Sequence, residues 1–315
     1  MEKRRLGRSS LETAPIVFGG NVLGWTADQA TGFRILDAFV DAGFNAIDTA
    51  NTYSRWVPGN KGGESETIIG NWLKKRGKRD DVLILTKVGA EMGPGKKGLA
   101  PAYIKAELEE SLRRLQTDYV DLYQSHRDDA ATPMAETMET YAALIREGKV
   151  RAVGASNFTA ARMRESLDAC AKQKLPRYEC VQPGYNLYDR ADYESELEAF
   201  CLAEQIGVIP YYSLASGFLT GKYRSAADFG KSQRGGRMKD YLNPRGLKIL
   251  AALDAVAGTH RATPAAVALA WLIARPSITA PIASATSVEQ VKDFTLAANL
   301  KLSKDDIAAL DKASA

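Results

Sequence analysis

The sequence predicts a (β/α)8 barrel, also called a TIM barrel, that occupies residues 1–315 as a single domain. Short apolar runs alternate with longer segments of helical spacing, a pattern typical of a parallel sheet covered by helices. Eight such units in 315 residues suit a closed barrel better than an open sheet, because barrels of this class occupy about 250 residues plus insertions. A short N-terminal hairpin and a lid in the C-terminal part complete the predicted architecture.

The predicted elements follow one another along the chain. Arg4–Leu6 and Leu11–Thr13 flank a glycine-containing turn and predict the hairpin. The predicted strands are Ile16–Phe18, Phe44–Ile47, Val82–Leu85, Tyr119–Tyr123, Val150–Val153, Glu179–Val181, Val208–Pro210 and Ile278–Ile282. The predicted helices lie near residues 28–41, 64–75, 101–115, 133–147, 159–172, 191–204, 262–274 and 287–297. Gly43, Gly148 and Gly207 each stand between a helix and the next strand, where a glycine commonly ends the helix.

The segment from Gly217 to Arg245 interrupts this alternation, because it is polar and has no clear period. Irregular loops of such length in a compact domain are usually lids or binding loops. Basic residues outnumber acidic ones in it, which suits either an anionic ligand or a solvated loop. The segment lies among the loops that follow the strands, and this favours the first interpretation, a lid that covers an anionic ligand.

Composition excludes several classes of protein. Hydrophobic residues make up 45% and charged residues 25%, as in ordinary globular proteins. The net charge is only +4 and the basic residues are spread along the chain, which gives no basis for a nucleic-acid surface. No apolar run approaches the roughly 20 residues of a membrane span. The first residues lack the apolar core of a secretory signal.

The scarce cysteines and histidines narrow the chemistry further. Three cysteines without CxxC spacing predict buried thiols in a reduced, cytoplasmic protein. With His126 and His260 as the only histidines, a multi-histidine zinc site is excluded and no metal is expected. Gly93–Gly98 fits the dinucleotide fingerprint GxGxxG by letter, but Pro94 and the delayed helix start favour a flexible loop.

Four polar residues follow predicted strands, at the positions that carry catalysis in barrels of this class. Asp48 follows the second strand, with Tyr53 beyond it in the same loop. Lys87 follows the third strand and His126 the fourth. A closed barrel brings these strand ends together over one opening. Taken singly, each residue also has a structural explanation as a helix cap, a surface charge or a packing residue.

Together, these residue types suit the reduction of a carbonyl group. A phenol with a pKa of about 10 is a weak acid. A nearby ammonium stabilises the phenolate, so Lys87 is expected to lower the pKa of Tyr53. Asp48 would fix the lysine, and His126 would orient the carbonyl whose oxygen Tyr53 protonates. The chain has no hydride donor of its own, so a nicotinamide cofactor is implied.

Longer stretches resemble the aldo/keto reductase superfamily over nearly the whole chain. They are residues 43–53 (GFNAIDTANTY), 63–66 (GESE), 84–87 (ILTK), 112–123 (LRRLQTDYVDLY), 148–158 (GKVRAVGASNF) and 210–223 (PYYSLASGFLTGKY). The resemblance points to a bacterial branch that is also similar to potassium-channel β-subunits. It implies an NAD(P)H-dependent oxidoreductase that reduces aldehydes or ketones reversibly, with Tyr53 as general acid and Asp48, Lys87 and His126 completing the tetrad.

The resemblance also implies cofactor contacts and a cofactor role for the lid. Ser156, Asn157 and Gln182 match the residues that hold the nicotinamide carboxamide, and Tyr212 matches the residue that stacks on the ring. The other matched positions are Gly20 beside the first strand, the pyrophosphate stretch Ser213, Leu214, Ser216, Gly217, Leu219 and Lys222, and the adenosine end Ser284, Thr286 and Gln290.

The sequence departs from the family pattern at the adenosine end. Many relatives have a basic residue at the position of Thr286, where it contacts the 2′-phosphate of NADPH. A threonine offers only a weaker hydrogen bond. NADPH is still expected ahead of NADH, with Arg234 or Arg237 of the lid as replacement cations. Phe294 stands where relatives often carry an adenine-binding asparagine.

The substrate side is expected to be aromatic. The predicted substrate-binding residues are Tyr53, His126, Trp25 and Trp56. Tyr185 or Asn186 is a further candidate. Such walls suit small apolar or aromatic carbonyl compounds or their alcohols. The alternative is a nicotinamide-binding regulatory or partner subunit with little catalysis, against which the intact four-residue set speaks. The sequence leaves monomer and homo-oligomer open.

Overall fold

The computed structural model describes residues 1–315 and contains an eight-stranded parallel sheet that curls into a barrel. Neighbouring barrel strands follow chain order, and the last strand pairs with the first. The ring closes through three backbone hydrogen bonds, two of which are short. Thr279 N donates to Val208 O and Ile282 N donates to Pro210 O, both at 2.9 Å. The predicted (β/α)8 barrel is confirmed.

The strands and helices have the following bounds. A two-stranded hairpin precedes the barrel strands: β1 Arg4–Arg5, β2 Glu12–Thr13, β3 Val17–Gly19, β4 Ala46–Asp48, β5 Leu83–Val88, β6 Val120–Ser125, β7 Val150–Ser156, β8 Tyr178–Gln182, β9 Gly207–Val208 and β10 Ile282–Ala283. The helices are α1 Gln29–Asp41, α2 Glu64–Arg76, α3 Pro101–Leu115, α4 Met134–Arg146, α5 Ala160–Gln173, α6 Glu198–Glu204, α7 Pro244–His260, α8 Pro264–Ala274, α9 Val288–Asn299 and α10 Lys304–Ser314. None of them is long and apolar enough to cross a membrane.

Two helices, α7 and α10, escape the sequence prediction. The Asn243 side chain caps α7 by accepting from Gly246 N, and α7 therefore begins inside the segment assigned to the lid. The lid itself is not irregular, because it contains the short 3-10 helices Ala226–Lys231 and Gly235–Asp240. The last strand is also displaced, since the predicted 278–282 becomes Ile282–Ala283.

The three helix-ending glycines have different roles. Gly43 and Gly148 have left-handed φ values of +92° and +73°, as predicted for glycines that end helices. The prediction for Gly207 is wrong, because Gln205 takes the left-handed position with φ +54°. A Cβ on Gly207 would stand 2.7 Å from the backbone nitrogen of Gly7. Gly207 therefore permits the N-terminal hairpin to pack closely against the barrel.

The hairpin covers the end of the barrel where the strands begin. Leu6 and Leu11 are buried in one apolar cluster with inward-facing strand residues such as Val17, Leu122 and Cys180. A larger core lies between the strands and the helices. The thiols of Cys170, Cys180 and Cys201 are free and buried, as predicted (three cysteines in all). The other end of the barrel, where the strands terminate, is left for the site.

Candidate active site

The four predicted catalytic residues lie at the C-terminal ends of three adjacent strands. Asp48 is the last residue of β4, Lys87 lies near the end of β5, and His126 directly follows β6. Strand pairing aligns Asp48 with Leu85 and brings β5 beside β6 in the same way. Tyr53 occupies the turn that leaves β4. The register of the barrel therefore collects all four side chains at one opening.

A short hydrogen-bonded chain joins three of them. The Tyr53 hydroxyl donates to Asp48 Oδ2 at 3.0 Å. Lys87 Nζ donates to the same Asp48 oxygen at 2.6 Å, to the Tyr53 hydroxyl at 2.8 Å and to the Thr49 carbonyl at 2.8 Å. Lys87 and Asp48 are essentially inaccessible to solvent. Because each ammonium proton has an acceptor, the position of Lys87 is fixed relative to the phenol.

The electrostatics of Tyr53 correct the sequence-based expectation. Burial and the neighbouring Asp48 carboxylate raise the pKa of Tyr53 well above its usual value. Burial lowers the pKa of Lys87, although Asp48 opposes that shift. The expected net lowering of the Tyr53 pKa is therefore wrong, because burial and Asp48 set the direction of the shift. Tyr53 is held in its protonated form, which is the form that donates a proton.

His126 faces the same opening as a neutral imidazole. Its ring centroid lies 6.1 Å from that of Tyr53, and its buried Nδ1 has no hydrogen-bond partner. Burial, together with the charges of Lys87 and Arg127, holds the pKa of His126 well below its usual range. The ring is therefore uncharged at neutral pH and is able to donate one hydrogen bond to a ligand without competing for the proton of Tyr53.

Two glutamines bind the other oxygen of Asp48. Gln124 and Gln182 donate their side-chain amides to Oδ1 of Asp48 at 3.2 and 2.9 Å. Gln182 was predicted as a carboxamide ligand, and here its amide nitrogen faces the catalytic carboxylate. Gln124 was missed by sequence reasoning. Its polar side chain inside the apolar run of β6 was the available signal, since inward positions of a barrel strand are normally filled by apolar residues.

The predicted carboxamide residues lie beside this group. Ser156 is buried at the end of β7 and donates to the backbone oxygen of Gln182 at 3.0 Å. Asn157 follows with a left-handed φ of +60°. Its side chain donates to the His126 carbonyl at 2.9 Å and accepts from the Tyr211 hydroxyl at 2.7 Å. The side chain of Asn157 thus ties the ends of three strands together at the opening.

Tyr212 and the segment after it form an open cradle. Tyr212 is 45% exposed and has a left-handed φ of +57°. Ala215, Ser216 and Gly217 have consecutive positive φ values and form a tight turn. The N–H groups of Ser213 and Leu214 have no acceptor in the protein. The Lys222 amine lies 3.7 Å from the position that a Cβ on Gly217 would take. Leu219, in contrast, is buried in the core.

The predicted adenosine end carries no cation. Ser284 donates to Asn21 Oδ1 at 2.7 Å, and Thr286 N donates to Gln290 Oε1 at 2.8 Å. Gly20 lies against the backbone, since a Cβ there would stand 2.8 Å from the Asp48 carbonyl. Phe294 is buried against Phe39 and Phe44 rather than placed at a surface groove.

Comparison with known proteins identifies the family of this fold and site. The model of the aldo/keto reductase family matches residues 15–315.

The chain belongs to the aldo/keto reductase family.

Relatives of this aldo/keto reductase cover almost its entire length. The oxidoreductase YrpG of Bacillus subtilis is 34% identical over an alignment of 322 positions that covers 99% of this chain and 95% of the relative. L-glyceraldehyde 3-phosphate reductase of Escherichia coli O157:H7 is 30% identical, covering 99% and 92%. A probable voltage-gated potassium channel subunit beta of Arabidopsis thaliana is 31% identical, covering 93% and 90%. The similarity to oxidoreductases and to a channel subunit agrees with the resemblance described from the sequence.

The aromatic residues of this aldo/keto reductase flank Tyr53. Trp56 is 51% exposed, with its ring centroid 6.3 Å from that of Tyr53 and 5.6 Å from that of Trp25. Tyr185 and Asn186 are fully buried instead, and the Tyr185 hydroxyl donates to Glu194 at 2.6 Å. The two tryptophans are therefore placed beside the proton donor, whereas Tyr185 and Asn186 do not line the opening.

The lid arginines lie at the catalytic opening. The guanidinium of Arg234 stacks over Trp25, 5.0 Å from the ring centroid. Arg237 donates to the Tyr212 hydroxyl at 3.2 Å. Neither arginine forms a hydrogen bond with Thr286. That one of them replaces the missing cation near Thr286 stays a prediction.

Proposed function

We propose that this aldo/keto reductase reduces aldehydes or ketones to alcohols with NAD(P)H, and that Tyr53 donates the proton. The observation that carries the proposal is the chain in which Lys87 Nζ lies 2.8 Å from the Tyr53 hydroxyl and 2.6 Å from Asp48 Oδ2. A protonated phenol backed by a fixed ammonium suits general-acid catalysis at a carbonyl oxygen. Similarity to the oxidoreductase YrpG supports the same reaction class.

The cradle after β9 suits a nicotinamide dinucleotide. Tyr212 offers an exposed ring for stacking, and the free N–H groups of Ser213 and Leu214 together with Lys222 suit a pyrophosphate. Ser156 and Asn157 are the residues that would hold the carboxamide beside His126. When bound, the nicotinamide supplies the hydride that the chain itself lacks.

The chain's own residues perform the proton chemistry. His126, uncharged because its pKa is depressed, orients the carbonyl oxygen by a hydrogen bond. Tyr53 gives its proton to that oxygen as negative charge develops there. Lys87 then stabilises the phenolate, while Asp48 keeps the ammonium in place. Trp25 and Trp56 restrict the access of water to the reacting atoms.

The choice between NADPH and NADH depends on whether a basic residue lies near Thr286. NADPH remains the expected cofactor, with Thr286 and Gln290 as the residues near its adenosine end, and NADH is the competitor that a site without a basic residue tolerates. The ratio of the two cofactor affinities, measured by quenching of tryptophan fluorescence, tests this assignment. A large preference for NADPH requires a cation that the Thr286 region does not supply.

Replacement of Tyr53 by phenylalanine tests the reaction. Loss of nicotinamide absorbance with an activated aromatic aldehyde measures turnover, and fluorescence measures cofactor binding. We expect Tyr53→Phe to bind cofactor as the unmodified protein does and to lose at least about 100-fold in kcat, the scale of general-acid catalysis. Unchanged turnover would refute the role of Tyr53. Cofactor binding without turnover in the unmodified protein would favour the regulatory-subunit alternative, to which the similarity with the channel subunit points.

A further inference from the structure

Two buried glutamines lie inside the barrel next to the catalytic carboxylate. Gln124 belongs to β6 and Gln182 is the last residue of β8, and both side chains are buried. The proton transfer from Tyr53 uses neither amide. Burial of a polar side chain costs free energy unless its polar atoms form hydrogen bonds. The hydrogen bonds of the two amides therefore indicate what these residues do.

The negative charge of Asp48 decides which way the Gln124 amide faces. The Gln124 amide nitrogen lies 3.2 Å from Asp48 Oδ1. A carboxylate oxygen only accepts hydrogen bonds, so the nitrogen of the amide must face it. The sheet provides the room, because β6 pairs Gln124 with Gly154 of β7, where a Cβ would stand 3.2 Å from Gln124 Cγ. The oxygen of the Gln124 amide is thereby left to accept a hydrogen bond.

The Gln182 amide is held by two acceptors. Its nitrogen donates to Asp48 Oδ1 at 2.9 Å and to Gln124 Oε1 at 3.2 Å. These two bonds use both protons of the amide. If the amide turned over, its oxygen would face two acceptor oxygens, which is repulsive. In the observed orientation, the Gln182 oxygen has no donor in the protein and is the polar atom left for a ligand.

We propose that Gln124 is a positioning residue that keeps the Gln182 oxygen directed at the cofactor, so that the site selects a pyridine ring whose substituent carries an N–H donor. This inference rests on the proposed use of NAD(P)H. The carboxamide of nicotinamide offers such a donor, whereas the methyl ketone of 3-acetylpyridine does not. A site built to bind an N–H group rejects the analogue that lacks it, because the acceptor is then left unpaired. Gln124 acts through Gln182 and not by contact with the cofactor.

Binding of two oxidised cofactors tests the proposal without turnover. The readout is the Kd for 3-acetylpyridine adenine dinucleotide phosphate divided by the Kd for NADP+, measured by quenching of tryptophan fluorescence. The forms without the 2′-phosphate replace both if NAD+ binds more tightly. In the unmodified protein we expect a ratio of about ten, which corresponds to about 1.4 kcal/mol.

Replacement of Gln124 by methionine removes one of the two acceptors of the Gln182 amide. The amide then has a proton without an acceptor, and its orientation is no longer unique. We expect the Kd ratio to fall from about ten to about two in Gln124→Met, since most of the selective hydrogen bond is lost. An unchanged ratio in Gln124→Met overturns the proposal.

Ser125→Ala is the control for a general loosening of β6. Ser125 is the next residue of the strand and faces the helices, where its hydroxyl bonds those of Tyr141 and Tyr178 at 2.8 and 2.7 Å. This substitution also removes a buried polar group from β6, but we expect the Kd ratio to stay as in the unmodified protein. An equal fall of the ratio in Ser125→Ala and Gln124→Met would overturn the role of Gln124.

Gln124→Glu is the conservative variant that restores both contacts. Burial and the neighbouring Asp48 both raise the pKa of a carboxylic acid placed there, so the glutamate is protonated at about pH 6. In that form it donates to Asp48 and accepts from Gln182, as the glutamine does. We expect Gln124→Glu to regain the Kd ratio that Gln124→Met loses. Equal ratios in these two variants would contradict positioning through the amide.

The same titrations separate this inference from the proposed function. If neither nucleotide binds the unmodified protein, the nicotinamide assignment and the inference are both refuted. If both nucleotides bind and their Kd ratio is the same in every variant, the inference alone is refuted. Selective binding that depends on Gln124 supports the inference even in a protein that turns over no aldehyde.

Discussion

Asp48 is the residue on which the geometry of the site converges. One of its oxygens accepts from Tyr53 and Lys87, and the other accepts from Gln124 and Gln182. A single buried carboxylate therefore orients the proton donor and its cation at the same time. Burial and, after it, the negative charge of Asp48 oppose ionisation of the phenol, which explains why Tyr53 remains protonated beside an ammonium.

The pH dependence of reduction follows from the pKa of Tyr53. Reduction requires the proton on the phenol, so the rate falls only when the pH passes the pKa of that group in the folded protein. Because that pKa lies well above the usual value of about 10, we expect kcat for reduction to stay level between about pH 7 and 10. His126 adds no inflection near pH 6.5, since its pKa lies well below that value. A decline of kcat with a midpoint near pH 8 would contradict this assignment.

Replacement of Asp48 by asparagine should change the shape of that profile. The substitution removes the negative charge next to the phenol and leaves the Lys87 ammonium 2.8 Å away. The pKa of Tyr53 then falls by about one unit or more, as is usual when a like charge at such a distance is removed. We expect the alkaline limb to move into the measurable range in Asp48→Asn, independently of any loss in absolute rate. A profile of unchanged shape would show that Asp48 does not control the phenol.

At the scale of elements, a buried ion pair joins α2, α3 and β5 behind the site. Glu66 is fully buried in α2, and its carboxylate accepts from Arg114 of α3 at 2.7 Å. The Thr86 hydroxyl of β5 donates to the other oxygen of Glu66 at 2.5 Å. Thr86 precedes Lys87, so this contact holds the end of the strand that carries the catalytic ammonium.

Arg114→Met should therefore destabilise the protein strongly. Breaking one side of a buried pair leaves an uncompensated charge, which typically costs about 3–5 kcal/mol of the free energy of unfolding. Urea denaturation measures the loss. Arg113→Met, in the next position of α3, is the control, since that guanidinium is 69% exposed and pairs with Glu110 at the surface. We expect the control to leave the urea midpoint in place, and equal effects of the two substitutions would contradict the importance of burial.

Several parts of these elements were readable from the sequence, and others were not. The Asp48, Lys87 and His126 positions follow from strand ends, because the period of a parallel barrel is regular and its catalytic edge is always the same one. Gln124 was missed although its polar side chain in the β6 segment was a signal, because its contact with Asp48 depends on the register between β4 and its neighbours. The cap that begins α7 at Asn243 was hidden within a polar segment. The pKa of Tyr53 depends on a balance of burial and two opposite charges, which only the distances decide.

At the scale of the whole molecule, the barrel buries all three thiols. Burial raises the pKa of Cys170 to about 11 and that of Cys201 to about 12, and it raises the pKa of Cys180 well above its usual value. The thiolate is the reactive form, so these raised pKa values keep the cysteines inert near neutral pH.

An Ellman-type thiol titration measures this protection. At pH 8 we expect the folded protein to react slowly at every cysteine, and we expect all three thiols to react at once in denaturant. Denatured protein is the internal control for the total number of thiols. One thiol that reacts in the folded protein as fast as a free cysteine would mean that the wall of the barrel opens at that position.

The N-terminal hairpin determines the route by which protons reach Tyr53 from solvent. Leu6 and Leu11 close the barrel at the end opposite Tyr53. The Gly7 backbone lies so close to β8 that a Cβ on Gly7 would stand 2.1 Å from the Glu179 carbonyl oxygen. Solvent and ligands therefore reach the barrel only at the end that carries Tyr53. Substrate and product pass that end, and so does the proton that recharges Tyr53 after each turnover. We therefore expect product release and reprotonation of Tyr53 to use the same opening of the barrel.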